Sequence, residues 1–393
     1  MIRHLFKLIW NRKKSNFLLI TEIFFCFLVL FGVLSLVFYN VRNYTKPLGF
    51  EHENVWLLTM QTATDSAALN HQNQEQVLQR VRSFPEVEYA ALTSSNAPFS
   101  FSQMNNVFSA GSVKGIQADV YEVQDDFKDV LQLQLSQGRW FGVQDNASNH
   151  EPIVINRAMQ QKLFGQEDAL GKLIQVNDTT NFQVVGVTDY FRAGSEYAAE
   201  EPACFTRINF EKNPTYFWNE LLIRVKPGTG IDFEEKMVKE LAGIGKGWTL
   251  EVSTLEKMRQ NKAKLTMIPM IALGLVCGFL ILNVALGLFG VLWYNISRRN
   301  SEIGLRRALG AASGQIYRQF IGEVLVLATF GLLLGVVFAV QFPLLHVFQV
   351  EPEVYVTALL CAVVLIYLLT TACALYPSRQ AAIIQPATAL HEE

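Results

Sequence analysis
Hydrophobic positions along the chain fall into two patterns, long unbroken blocks and short alternating runs. Phe17 to Phe38 is an unbroken apolar block whose only charge is Glu22. Leu265 to Ser297 carries no charge, Gln319 to Val350 carries only Glu323, and Val354 to Ser378 again carries none. A helix needs about 20 apolar residues to cross the hydrocarbon core of a bilayer, and each block exceeds that. The pattern therefore predicts transmembrane helices at 17–40, 265–297, 314–345 and 354–377. The first block is longer than the usual core of a signal peptide and ends in no clear small-x-small cleavage site, so it is expected to be an uncleaved anchor. Within the third block, Gly331 and Gly335 form a small-xxx-small pair, as Gly274 and Gly278 do in the second. Such pairs allow close helix contact, within one chain or between two. Pro269 is expected to kink the start of the second span.

Between the first and second blocks, residues 43–264 have the composition of an ordinary globular domain. Val55 to Met60, Val87 to Thr93, Leu221 to Val225 and Trp248 to Val252 read as strands, with helices at Gln74 to Val81 and Asp232 to Leu241. Two strand–helix–strand units at the two ends of one domain predict a split subdomain, 43–99 and 202–264, around an insert at 100–201. The insert is richer in short strands: Ile153 to Ile155, Leu173 to Val176 and Phe182 to Val187. They are interrupted by a helix from Arg157 to Phe164 that ends at Gly165. The predicted fold class is thus a membrane protein of four transmembrane helices with a large α+β extracytoplasmic domain.

Charge adds orientation. Arg3, Lys7, Arg12, Lys13 and Lys14 precede the first span, and Arg298, Arg299, Arg306, Arg307 and Arg318 lie at the loop joining spans two and three. Glu351 and Glu353 stand between spans three and four. Basic residues mark the cytoplasmic side, which predicts a multi-pass protein of a cytoplasmic membrane with both termini inside and the middle domain outside. Residues 1–16 read as a cytoplasmic amphipathic segment, its stripe of Ile2, Leu5, Phe6 and Ile9 suited to the membrane surface, and 378–393 as a cytoplasmic tail. Glu22 and Glu323 lie about one turn inside the cytoplasmic boundary and are expected to snorkel or to pair with Arg306 or Arg318.

Candidate chemistry is sparse. The net charge of −2 gives no sign of a nucleic-acid partner. Of the five cysteines only Cys204 lies in the middle domain, so no disulfide can form within it. The histidines show no metal-ligand spacing, and no residues are grouped for catalysis. Gly165 to Lys172 has one residue too many between its glycines for a phosphate loop and lacks the following Ser or Thr. Asp125-Asp126 reads as a helix N-terminus. The loop 298–313 is more informative. Glu302 and Arg306 are four apart and can pair along a short helix. Ile303, Leu305 and Leu309 are apolar and suited to a partner cleft, Gly310 can end the helix, and Ser313 can cap the next one.

That loop also carries a resemblance. Arg299 to Ala311 reads R-N-S-E-I-G-L-R-R-A-L-G-A and is similar to the cytoplasmic loop of FtsX/MacB-type ABC transporter permeases, R-x-x-E-I-G-[IL]-R-[KR]-A-[LI]-G-A. Phe127 to Leu131, Gly138 to Phe141, Ile153 to Asn156, Leu163 to Gly165 and Val184 to Val187 resemble stretches of the family's periplasmic core domain. Tyr376 to Ala381 with Gln385 to Leu390 resembles its C-terminal P-x-R-x-A…P-x-x-A-L. Glu86 departs from the family's L-P-G-V. The resemblance implies porter-like and sabre-like subdomains and a permease that pairs with a second copy or a paralogue. It also implies a cytoplasmic ABC ATPase dimer that carries Mg-ATP. Arg298, Arg299, Glu302, Ile303, Leu305, Arg306, Arg307 and Leu309 would then contact the ATPase. With so few residues ahead of the first span, the ATPase is expected on a separate chain and no cofactor on this one. A periplasmic adaptor or substrate protein is a further expected partner. Transmission of force across the membrane, driving efflux or extraction, is the expected function. The alternative is an FtsX-like subunit that signals to cell-wall hydrolases, whose relatives have a much smaller outer domain.

Overall fold
The computed structural model describes residues 13–62, 67–176, 180–210, 216–345 and 350–383. The expected surface segment before residue 13 and the Gln385 to Leu390 motif lie outside the described residues. In chain order, α1 (Lys13–Tyr44) is followed by β1 (Val55–Thr62), α2 (Ala67–Arg82) and β2 (Val87–Thr93). Then come β3 (Asn105–Ala110), β4 (Val113–Val123), α3 (Phe127–Leu131), β5 (Leu135–Gly138) and β6 (Glu151–Asn156). Next are α4 (Arg157–Phe164), β7 (Leu173–Val176), β8 (Thr180–Thr188) and β9 (Ala203–Arg207). The outer part closes with β10 (Glu220–Val225), α5 (Ile231–Ile244) and β11 (Trp248–Thr254). Among the described residues five helices follow: α6 (Leu255–Ser297), α7 (Asn300–Ala308), α8 (Ser313–Ala339), α9 (Gln341–Leu344) and α10 (Pro352–Ile383). The chain forms two units, one of residues 43–266 and one of the remainder.

In the membrane unit, four helical stretches among the described residues are long and apolar enough to cross a bilayer: Phe17–Tyr44, Leu255–Tyr294, Ser313–Leu344 and Pro352–Ile383. Small residues bring these helices together. Ala358, Ala362, Thr370, Ala374 and Ser378 are buried along one side of α10, and α10 packs along α8. Such a stripe lets two backbones approach where lipid supplies no hydrophobic drive between helices. Across that seam the Thr329 and Tyr367 hydroxyls lie 3.0 Å apart. The other side of α8 meets α1, where a Cβ on Gly335 would collide with the Phe27 ring and one on Gly331 would lie 2.9 Å from Ile23. A Cβ added to Gly274 or Gly278 of α6 would meet nothing within 4 Å, so that pair makes no close contact within the unit. Pro269 lies inside α6, which continues through it as one helix.

The outer unit is built on an antiparallel four-strand core, β11-β1-β10-β2. β1 and β2 are linked by α2, and β10 and β11 by α5, yet β10 lies between the first pair and β1 between the second. This is an interleaved pair of split βαβ units, which explains why the two strand–helix–strand patterns sit so far apart in sequence. Alternation along β1 sends Trp56, Leu58 and Met60 toward α2 and α5, where they meet Val77, Val81, Met237 and Leu241. Val55 and Leu57 face the opposite side and join an aromatic cluster of Phe50, Phe99, Tyr121, Phe191 and Phe205. The remaining strands form the insert, where β6 runs parallel to β8 and antiparallel to β9. β9 lies beyond residue 201, so the insert ends after Arg207 rather than at the expected boundary; pairing with β4 and β6, invisible to local pattern, places it there. Asn156 caps α4 by accepting from the Met159 N–H, and Gly165 ends it with φ +64°. Asp126 begins α3, while Asp125 and Asp126 pair with Arg207 and Arg82. Glu220 opens β10 in a buried position, and burial pushes its carboxyl up to about 7 against a 3.4 Å bond from the Ala97 N–H.

Candidate coupling site
The loop between α6 and α8 folds as α7, an amphipathic helix whose two faces have different surroundings. Ile303, 2 % exposed, packs with Ile296 of α6, Ile316 and Phe320 of α8, and Ala381 of α10. The helix is thereby seated on three others by one apolar side chain. The expectation that Ile303 enters a partner cleft is corrected: the residue is consumed by the chain's own core. Alternation of apolar residues cannot by itself say which of them faces inward.

Charged groups fasten the same face. Arg299 Nη1 donates to Glu323 Oε2 at 2.9 Å, with its guanidinium 5.8 Å from the Phe320 ring centre. Glu323 Oε1 accepts from Gln319 Nε2 at 3.1 Å, and Gln319 Oε1 accepts from Arg306 Nη1 at 3.0 Å. Arg306 Nη2 donates to Glu302 one turn earlier. Arg299, Glu302, Arg306, Gln319 and Glu323 thus form one connected network between α7 and α8. Glu323 pairs with Arg299 rather than with Arg306 or Arg318, because the turn after α6 brings Arg299 back against α8. Sequence reasoning misses Gln319; its place one turn before Glu323 is the available signal. Arg307 donates to the Ala382 carbonyl at the end of α10 and to the Ser313 hydroxyl. Ser313 is therefore an acceptor at the first residue of α8 and not its cap; Ala312 holds that position. Arg298 stays apart from the network, with its guanidinium 5.3 Å from the Tyr294 ring centre. Glu22 lies against α6, where a Cβ on Gly287 would come 2.5 Å from its Oε1.

On the opposite face, Leu305 is 53 % and Leu309 80 % exposed, with Ala308 also exposed beside them. Gly310 follows with φ +94°, a left-handed conformation that terminates α7 and suits glycine. The site is a short helix held on one side by packing, ion pairs and a backbone bond, and presenting leucine on the other. Among the described residues no group of three or more His, Cys, Asp or Glu side chains is placed to hold a metal ion.

Residues 20–238 match the family model for the MacB-like periplasmic core domain, and residues 272–386 match the FtsX-like permease C-terminal model. The chain belongs to the MacB/FtsX-like permease family. Its relatives include the macrolide export ATP-binding/permease protein MacB of Pasteurella multocida, 28% identical over 290 residues that cover 71% of this chain and 44% of that protein. The chain therefore spans less than half the length of that relative. An uncharacterized ABC transporter permease of Bacillus subtilis, YvrN, is 25% identical over 332 residues, covering 81% of this chain and 79% of YvrN. Among solved structures, the periplasmic region of MacB from Actinobacillus actinomycetemcomitans aligns with TM-score 0.39 and 13% identity, over 56% of this chain and 95% of that one. Of the two models matched by this MacB/FtsX-like chain, one describes a periplasmic core domain and the other a permease C-terminal domain.

Proposed function
We propose that this chain is the membrane subunit of an ABC transporter and passes the work of a separate cytoplasmic ATPase to its own outer domain. On this reading both termini and α7 are cytoplasmic, residues 43–264 are outside, and Mg-ATP is bound only by the partner. A second permease copy or paralogue completes the transporter. The substrate is a periplasmic or membrane-embedded molecule that is expelled or extracted by movement of the outer domain.

One observation carries the reading: α7 is fixed to α6, α8 and α10 on one face and presents Leu305 and Leu309 on the other. A leucine pair on a firmly seated helix suits insertion into a partner's cleft, and a push on it reaches three long helices. Leu305→Asp would bury an unpaired charge at such an interface, which is expected to lower ATPase capture and stimulation by more than about tenfold. Glu302→Ala with Arg306→Ala should weaken capture less, since exposed pairs contribute about 1 kcal/mol at most. Capture of the co-expressed ATPase on purified permease measures both. Wild-type capture by Leu305→Asp would show that α7 is not the coupling element. Fusion of a reporter after Glu393 and insertion of another near Asn146 test the orientation independently.

A further inference from the structure
Between β8 and β9 the chain runs from Tyr190 to Glu201 without helix or strand, yet it is bonded on every side. Its centre is Arg192, 2 % exposed. Its Nη2 donates to the carbonyls of Glu196 and Ala198, each at 2.7 Å, which shapes the segment itself. Its Nη1 reaches the carbonyl of Lys46 at 2.8 Å and that of Pro47 at 3.3 Å. The Arg192 backbone N–H donates to the Leu48 carbonyl at 3.0 Å. Residues 46–48 closely follow α1. Beside them Gly49 has φ +86°, and a Cβ there would collide with the Tyr190 carbonyl oxygen, so only glycine fits. The end of α1 joins in through Asn43, whose Nδ2 donates to the Tyr197 carbonyl at 3.0 Å, and through Tyr44, stacked on the Tyr197 ring.

The segment also grips the start of α6. Arg259 Nη1 donates to Glu196 Oε2 at 3.2 Å. Ala193 accepts at 2.7 Å from the N–H of Phe99, a buried residue held in the left-handed region at φ +65°. The adjoining Ser100 carbonyl accepts from Lys262 of α6 at 2.8 Å. At its far end the segment enters the insert. Asn156, the cap of α4, donates to the Glu200 carboxylate at 3.0 Å and the Glu201 carbonyl at 2.7 Å. Irregular stretches of this length inside a domain are usually mobile or functional, and this one is ordered by a buried forked cation aimed at the carbonyls of Lys46, Pro47, Glu196 and Ala198.

We propose that Tyr190–Glu201 is a strap that ties the outer end of α1 and the outer end of α6 to the insert, with Arg192 as its positioning residue. Displacement of either helix end is then delivered to α4 and β6 through the strap and not only through the central sheet. The tie itself stands independently of the transporter reading; its consequence for transport rests on that reading.

Amide hydrogen exchange on the full chain in lipid nanodiscs tests the tie. Arg192→Ala, and also Arg192→Lys, which keeps the charge but loses the fork, should speed exchange by at least about tenfold at residues 43–50, 97–101 and 190–201 together. β10 and α5 should stay at the wild-type rate. Bridging Tyr44→Cys to Tyr197→Cys with a short thiol crosslinker should restore slow exchange at 43–50 in the Arg192→Ala chain. Acceleration confined to 190–201 would overturn the proposal, since Arg192 would then serve only its own loop. If both Arg192 variants unfold, Arg259→Gln decides: faster exchange at 190–201 supports the strap, and an unchanged rate there overturns it. A strap that behaves as proposed while Leu305→Asp retains ATPase capture would remove the coupling reading and leave the tie.

Discussion

The two units hold together by opposite means. In the membrane unit the closest approaches are made by the smallest residues: Gly331 and Gly335 against α1, and the alanine, threonine and serine stripe of α10 against α8. In the outer unit large aromatic side chains fill the core, with the Phe205 ring centre 4.8 Å from Phe191, 5.3 Å from Trp140 and 5.6 Å from Tyr121. Water explains the difference. Burying an aromatic ring from water is strongly favourable, so large side chains give the outer unit most of its stability. A helix in lipid gains nothing by moving a leucine from hydrocarbon to protein, so association depends on contact distance, and a missing side chain is the asset.

The largest test of this contrast adds bulk to the membrane seam. Gly335→Leu drives a side chain into the Phe27 ring and should abolish recovery of folded, detergent-stable chain, whereas Gly278→Leu, which meets open space, should leave monomer recovery unchanged. Size-exclusion profiles of the two variants measure this. Equal recovery would mean that the α1–α8 contact does not hold the bundle.

Removing bulk from the outer unit comes next. Phe205→Ala should cost about 3–5 kcal/mol in denaturant unfolding of residues 43–266. A cost below about 1 kcal/mol would show that the aromatic cluster is not the principal core.

A smaller effect is expected from the polar exception in the outer core. Glu220 has its carboxyl raised to about 7 from an ordinary 4.5, chiefly by burial. The folded state then binds this proton more tightly than the unfolded one, so the contribution is full below about pH 4.5 and is lost as pH rises through about 7. Glu220→Gln keeps the neutral shape at all pH values. It should raise stability at pH 8 by about 1–3 kcal/mol and leave it nearly unchanged at pH 4.5, read from paired melting curves. An equal shift at both pH values would assign the effect to something other than this proton.

The same contrast governs what the sequence makes legible. β2 and β7 lie at Val87 to Thr93 and Leu173 to Val176, as their patterns predict, because alternation marks a strand that faces water-driven cores. Long apolar blocks likewise mark the spans. Hydropathy puts the start of the second span at Leu265, but α6 begins at Leu255. Its first turns are polar and are held by Glu256 with Arg259 and Gln260, contacts that hydropathy does not register. Gly274 with Gly278 and Gly331 with Gly335 are the same word in sequence, and only the neighbouring helix distinguishes them. In the coupling site Glu302 with Arg306 is legible from spacing. The burial of Ile303 and the partnership of Arg299 with Glu323 depend on the fold of three helices around α7.

α6 begins at the residue after β11 ends, and only Arg298 and Arg299 separate its last residue from α7. It therefore has no slack at either end, and its length carries information of another kind. Each residue in an α-helix turns the chain by about 100° and advances it by about 1.5 Å. One residue inserted within α6 would turn every residue after the insertion by about 100° around the helix axis relative to those before it. Two full turns, about seven residues, would restore the facing to within about 20°. Related chains should therefore differ in the length of this helix by steps of about seven residues rather than one.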